Sequence, residues 1–245
     1  MITKQQIKYI NRLKQKKYRL KEGLFLVEGI KSIKEFLKSH YQLEHLFTTV
    51  DLFSTDSNLY DIVKQHELAQ ISSFKTPQTA LAVFKILNKP LKYPKKLALA
   101  LSDIRDPGNL GTIIRLCDWF GIKNIYCSKD SVDCYNPKVV QASMGSLSRI
   151  HVYYTDLNQF LITQELPIFA ATMDGSSVYE HELPKNAIIV LGNEAKGIHP
   201  EILKHSQRKI SIPRFSSNDQ TESLNMAMAG GILMSEFRRG LIIEK

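Results

Sequence analysis

The chain has 245 residues, 43% apolar and 23% charged, with 33 Lys and Arg against 24 Asp and Glu for a net charge of +9. That length and apolar share suffice for one large or two modest globular domains and disfavour intrinsic disorder. No apolar run reaches the ~20 residues a bilayer-spanning helix needs, and the polar, basic first residues lack the apolar stretch of a secretion signal. Cys117, Cys127 and Cys134 form an odd set without C-x-x-C spacing, so neither disulfides nor structural zinc is expected. The histidines are scattered, and no metal is expected. A soluble, cytoplasmic chain with no membrane partner is the resulting expectation.

The positive charge is unevenly placed. Residues 1–96 hold 18 Lys and Arg against 8 Asp and Glu, whereas residues 97–245 hold 15 against 16. The densest stretch is the start, where Lys4, Lys8, Arg12, Lys14, Lys16, Lys17, Arg19 and Lys21 all precede the first acid, Glu22. Such a field attracts a polyanion through salt-sensitive, sequence-independent contacts. The charge asymmetry points to nucleic acid rather than to a solvated face, with Lys14, Lys16, Lys17, Arg19 and Lys21 as candidate contacts.

In chain order, residues 2–17 read as one basic helix with Ile7, Ile10 and Leu13 as its narrow apolar stripe. Leu24 to Val27 read as a strand, and Ile30, Ile33, Phe36 and Leu37 as a helical stripe. Residues 43–50 read as a second strand, 59–66 as a helix, 68–72 as extended and 76–84 as mixed. Residues 91–96, with two prolines nearby and several lysines, read as a linker between a domain at 1–90 and another at 97–245. The second domain opens with a strand at 97–101, then a turn Asp106-Pro107-Gly108-Asn109 and a helix ending near Gly121. Further strands are expected at 125–127, 150–154, 168–172, 187–191 and 210–212, with helices at 137–148, 157–166 and 223–239. This alternation argues a parallel α/β sheet.

Ligands of open α/β sheets bind beyond the carboxyl ends of the strands, and three segments there are dense in Gly, Asn, Glu and Ser. They are residues 106–115 (DPGNLGTIIR), 191–197 (LGNEAKG), and 212–215 (IPRF) with 222–229 (ESLNMAMA). Neither phosphate-cradling pattern is present. Gly197 is followed by Ile198 and His199 instead of Lys-Ser/Thr, and the first segment offers only Gly108-x-x-Gly111.

Taken together and in this order, the three segments resemble the SpoU family of RNA ribose 2′-O-methyltransferases, within the trefoil-knotted SPOUT superfamily. The resemblance covers residues 97–239. The basic first module, through Phe25-Leu26-Val27-Glu28-Gly29, looks like the family's small RNA-binding domain, similar to ribosomal protein L30e. The implied fold is a knotted parallel-sheet methyltransferase domain preceded by an L30e-like α/β domain. The implied activity is methyl transfer from S-adenosylmethionine to a ribose 2′-hydroxyl of rRNA or tRNA, by a homodimer. By resemblance, Leu191, Gly192, Ile212, Pro213 and Leu224 hold the cofactor, and Asn109, Arg115, Glu194, Ser223 and Asn225 form the catalytic set. One departure is the glycine-free stretch 215–222, longer than in many members.

Bland roles remain open beside these. Asn109 or Ser223 would each serve as a helix cap, and Glu194 could pair with Lys196. Arg115, in an otherwise apolar helix, would need a partner if buried. As a guanidinium it stays protonated, so positioning or phosphate clamping is physically easier for it than general-base action. The rival reading of the whole chain is a non-catalytic RNA-binding or ribosome-assembly factor on the same scaffold.

Overall fold

The structure is a computed structural model that describes residues 1–216 and 223–243. Two compact units divide the chain: one contains residues Met1–Pro90 and Asp133–Arg149, the other Leu91–Val132 and Ile150–Lys245.

The first unit carries a four-stranded sheet in the order β1-β4-β2-β3, built from β1 (Leu24–Glu28), β2 (Leu43–Thr48), β3 (Tyr60–Ile62) and β4 (Ala80–Lys85). Side chains alternate across β1, as they must in a strand. Leu24 and Leu26 join an aliphatic core with Ile10, Leu13, Leu68 and Ile71. Phe25 faces the other way, with its ring centroid 5.5 Å from those of Phe36 and Tyr41 and 4.6 Å from that of Tyr135. Tyr135 belongs to the returning segment 133–149, so a stretch that the linear reading gave to the C-terminal module helps fill this core.

The single helix expected at 2–17 is two helices, α1 (Lys4–Arg12) and α2 (Lys16–Glu22). Thr3 opens α1 with a capping box to Gln6. The break leaves the carbonyls of Leu13 and Lys14 free of helix bonds, and both accept from the Arg19 guanidinium, at 3.0 and 2.8 Å. Gly23, at φ 66°, then closes α2. After α3 (Ile30–Leu37), residues 59–72 also depart from expectation. Tyr60–Ile62 pair parallel to β2, and residues expected to be extended lie in α4 (Gln65–Ile71). Glu67 organises this turn, accepting from the N–H of Lys64 at 2.9 Å and from that of Ile2 at 3.0 Å.

The second unit contains a six-stranded parallel sheet, as expected, in the order β10-β8-β9-β5-β6-β7. Its strands are β5 (Ala98–Leu101), β6 (Asn124–Ser128), β7 (His151–Thr155), β8 (Ile168–Ser177), β9 (Ile188–Leu191) and β10 (Arg208–Ser211). Every residue of β5 and β9 is buried, which is what a strand covered on both faces requires. Helices α5 (Pro107–Trp119), α7 (Leu157–Ile162), α8 (Pro200–Leu203) and α9 (Met226–Ile243) complete the unit. Helix α6 (Pro137–Ala142), in the first unit, is shorter than expected, because Met144 (φ 50°) and Gly145 (φ 90°) turn the chain out of the helix. Residues 91–96 lack regular structure but are pinned within the second unit. The Lys92 carbonyl accepts from the Tyr126 hydroxyl at 2.6 Å, and Tyr93 stacks on Phe160.

Candidate active site

The first segment begins at the end of β5. Asp103 adopts a left-handed backbone, φ 54°, a conformation Asp tolerates better than most residues but still at some cost. Its N–H donates to Ser128 Oγ at 2.9 Å, and its carboxylate accepts from Arg105 Nε at 2.9 Å. Three residues on, Asp106 caps α5: its carboxylate accepts from the Asn109 N–H at 2.7 Å, with Pro107 in the first helical position. Asp106 therefore performs the capping that was an open role for Asn109, and the Asn109 side chain is left for other partners.

The second segment folds back on the end of β9. Asn193 and Gly197 exchange main-chain hydrogen bonds of 2.9 and 2.8 Å. Gly192 must be glycine for this fold: a Cβ there would lie 2.3–2.6 Å from backbone atoms of Gly197 and Ile198. The turn displays Glu194 to solvent, where its Oε1 accepts from Asn109 Nδ2 at 2.6 Å. Its partner is thus the amide of the first segment, eighty-five residues away in sequence, rather than Lys196.

The third segment contributes Asn225. Its Oδ1 accepts from the N–H groups of Ala227 at 2.9 Å and Met228 at 3.3 Å, capping α9, while its Nδ2 donates to Asn109 Oδ1 at 2.9 Å. The cap expected of Ser223 is therefore made two residues later. Asn109 joins all three segments, accepting from Asn225 and donating to Glu194, so its amide orientation is set from both sides.

Close packing of α9 secures the geometry. A Cβ on Gly230 would lie 3.0 Å from Leu191 Cδ1, and one on Gly231 would lie 3.4 Å from Leu116 Cδ1. Arg238 Nε, on the same helix, donates to the Phe120 carbonyl at the end of α5 at 3.0 Å. The small residues of α9 are thus close-packing positions, and these neighbours lie in the same chain.

Arg115 lies two turns beyond Asn109 on α5. It is exposed, and among the described residues it makes no hydrogen bond or ion pair. The burial that the apolar helix suggested is absent because Thr112, Arg115 and Trp119 share the solvent-facing side of α5; Trp119 is 84% exposed. Ser223 is likewise exposed. Among the cofactor candidates, Leu191 is buried at the end of β9, Gly192, Ile212 and Pro213 are half-buried, and Leu224 is 48% exposed. The stretch 215–222 lies, over residues 217–222, outside the described residues.

Parallel strands put Gly192 and Ile212 at the same carboxyl edge of the sheet, with β8 between their strands. Half-buried main chain at two strand ends, beside the apolar side chains of Leu191 and Leu224, suits a ligand with an aromatic base and hydrogen-bonding edges. S-adenosylmethionine has that chemistry, so the residues present fit it.

In the first unit the candidate RNA contacts divide. Lys16, Lys17 and Lys21 are exposed, and Lys17 Nζ lies 4.8 Å from the centre of the Tyr18 ring. Lys14 is half-buried and donates to the Ser72 carbonyl at 2.5 Å, and burial lowers its pKa. Arg19 does not fit the expected role. It is 2% exposed, and its guanidinium donates to Asp133 Oδ2 through Nε at 3.0 Å and through a terminal nitrogen at 2.5 Å. With the Leu13 and Lys14 carbonyls also bound, it is an interior tie, a role that a run of basic letters does not distinguish from a surface charge.

Reading the sequence missed two residues that arrange the site, Asp106 and Asn193. The available signals were local: Asp before Pro at a helix start, and Asn inside a tight glycine-bounded turn.

The chain has counterparts among known proteins. The model of the SpoU rRNA Methylase family matches residues 96–235, and that of an MRM3-like substrate binding domain matches residues 4–82. The 23S rRNA (guanosine(2553)-2′-O)-methyltransferase RlmP of Bacillus subtilis is 27% identical over 244 residues, covering 96% of each chain. A TrmH-family protein from Porphyromonas gingivalis is 37% identical and superposes with a TM-score of 0.89, over 98% of this chain and 99% of that one. The AdoMet-bound rRNA methyltransferase of Sinorhizobium meliloti, 27% identical, superposes with a TM-score of 0.87 over 98% of this chain and 97% of its own. Because the family match covers the whole stretch that brings Asn109, Glu194 and Asn225 together, this chain belongs to the SpoU rRNA methylase family.

Proposed function

We propose that this chain methylates the 2′-hydroxyl of a ribose in ribosomal RNA, with S-adenosylmethionine as donor. The observation that carries the reading is the hydrogen-bonded row Asn225–Asn109–Glu194, which draws three distant segments together at the carboxyl edge of a parallel sheet. The bound donor supplies an electrophilic methyl carbon on a sulfonium. The chain's residues have to place the ribose oxygen in line with that carbon and help remove its proton as the new bond forms. Gly192, Ile212 and Leu224 hold the donor through main-chain and apolar contacts, flanked by Leu191 and Pro213, and the second unit is of the superfamily's knotted type. Asn109, Glu194, Ser223 and Asn225 line the acceptor side. Arg115, exposed and unengaged among the described residues, presents a planar fork of donors, which suits it to clamp the neighbouring RNA phosphate and orient the hydroxyl.

In this reading the first unit binds RNA through exposed cations including Lys16, Lys17 and Lys21, and the second unit performs transfer. The exposed Trp119 and Met228, large apolar groups at 84% and 62% exposure, support pairing with a second copy of the chain. Three buried cysteines outside any disulfide suit a reducing cytoplasm, and among the described residues no helix is long and apolar enough to cross a membrane.

The test is mass spectrometry of nucleosides from digested rRNA of cells with and without this protein. Loss of one 2′-O-methylnucleoside on deletion, restored by the wild type but not by Arg115→Ala, is the expected result. Restoration by Arg115→Ala would remove Arg115 from the mechanism. Unchanged rRNA alongside a lost tRNA mark would move the substrate to tRNA. A protein that fails to bind S-adenosylmethionine in calorimetry would favour the non-catalytic reading.

A further inference from the structure

The hydrogen bond between Asn109 and Glu194 joins two segments, and both of its ends are referenced to one short stretch of backbone, residues 103–106. On one side, Asp106 holds the Asn109 N–H and sets the first turn of α5. On the other, Asn193 Nδ2 donates to the Asp103 carbonyl at 2.8 Å. The same side chain closes its own turn: its Oδ1 accepts from the N–H groups of Ala195 at 3.0 Å and Lys196 at 3.1 Å. Glu194 sits between these anchors, directly after Asn193.

The Asp103 carbonyl is aimed by an unusual backbone. Its left-handed φ of 54° is held by Ser128 Oγ on its N–H, and Ser131 Oγ accepts from the next N–H, that of Ile104, at 3.2 Å. Ser128 and Ser131 are themselves 2.9 Å apart, oxygen to oxygen. A residue strained in this way persists only when its surroundings over-determine it. The result is a closed ring of contacts along the chain and across it, Asn109 to Glu194 to Asn193 to the Asp103 carbonyl and back through Asp106.

We infer that Asn193 is a positioning residue for methyl transfer: by holding the Asp103 carbonyl it fixes where the Glu194 carboxylate stands and so which way the Asn109 amide faces. The inference rests on the reading above that Glu194 and Asn109 serve the transfer step. Asn193 itself touches neither substrate nor donor in this scheme.

Two variants separate this role from mere closure of the turn. Asn193→Ser retains an oxygen able to accept from the turn's N–H groups but is too short to reach the Asp103 carbonyl. Asn193→Ala loses both. The first measurement is steady-state methylation of rRNA purified from cells lacking the enzyme. For Asn193→Ser, kcat falls by about tenfold to a hundredfold, while KM for S-adenosylmethionine stays within about twofold. The second measurement needs no donor: the Asn109 side-chain amide resonance in the free protein moves in Asn193→Ser toward its position in Glu194→Ala. A wild-type kcat in Asn193→Ser, or an Asn109 amide that does not move, overturns the inference. A loss confined to KM for the donor also overturns it, since it would make Asn193 part of the cofactor loop only. An inactive wild type would instead strike at the methyltransferase reading, and the amide resonance would still decide whether Asn193 orients the pair.

Discussion

Asn225 donates to Asn109 across 2.9 Å while its carbonyl oxygen caps α9, so one amide both starts a helix and orients the side chain that binds Glu194. The two duties can be separated by substitution. Asn225→Ala should lower stability by about 1 kcal/mol, the usual worth of an N-cap, and abolish most methyl transfer. Asn225→Ser should recover the cap and the melting temperature but not the activity, because a hydroxyl cannot span to Asn109 from the same place. Thermal melts beside kcat measurements check both halves.

The glycines of the two packed segments should differ sharply in tolerance. The neighbours of a Cβ at residue 192 are backbone atoms at 2.3–2.6 Å, which cannot step aside without opening the turn. Gly192→Ala should therefore eliminate S-adenosylmethionine binding in calorimetry. At residue 230 the neighbour is a leucine methyl at 3.0 Å, which can rotate. Gly230→Ala should cost about 1 kcal/mol, as mild overpacking does, and bind the donor.

Arg19 and Lys17 should give opposite results although both lie in the basic run. Removing Arg19 leaves the half-buried Asp133 carboxylate without its cation and two carbonyls without their donor, so Arg19→Ala should destabilise the protein by about 3 kcal/mol. The salt dependence of RNA binding, measured below the melting point, should be unchanged. Lys17→Ala should leave stability alone and lower the slope of log affinity against log salt by about 1.

Glu67 predicts how the protein responds to acid. Its carboxylate is held below its usual value near 4.5, chiefly by the N–H of Lys64, with the N–H of Ile2 and the terminal amine adding to the effect. A depressed folded-state pKa means a contribution fully present above the unfolded value and lost as pH falls through the folded one. Thermal midpoints recorded downward from neutrality should begin to drop in the carboxylate range, and Glu67→Gln should flatten that part of the profile.

What the sequence carried and what it did not follow the range of the interactions involved. The parallel sheet showed in runs such as Ala98 to Leu101 and Ile188 to Leu191, whose burial on both faces leaves no alternation. The site segments showed because their residue types cluster. The split between α1 and α2 was invisible, since it depends on a guanidinium reaching the Leu13 carbonyl from Arg19 and on Asp133, over a hundred residues away. The sequence left open whether Arg115 is buried, since neighbouring letters are apolar, and α5 turns those letters inward and Arg115 outward. Residues 60–62 read as helix because three residues are too few to show a period, and only pairing with β2 makes them a strand.

The return of residues 133–149 to the first unit bears on how such a protein can be cut or recombined. A fragment ending at residue 90 would lack Tyr135 from its aromatic core and the carboxylate that neutralises Arg19. Its counterpart would trail a seventeen-residue loop with no core to enter. Exchanging substrate modules between relatives therefore requires transplanting both stretches together. A junction in the sequence that looks like a hinge between cassettes is, in this chain, only one of three crossings.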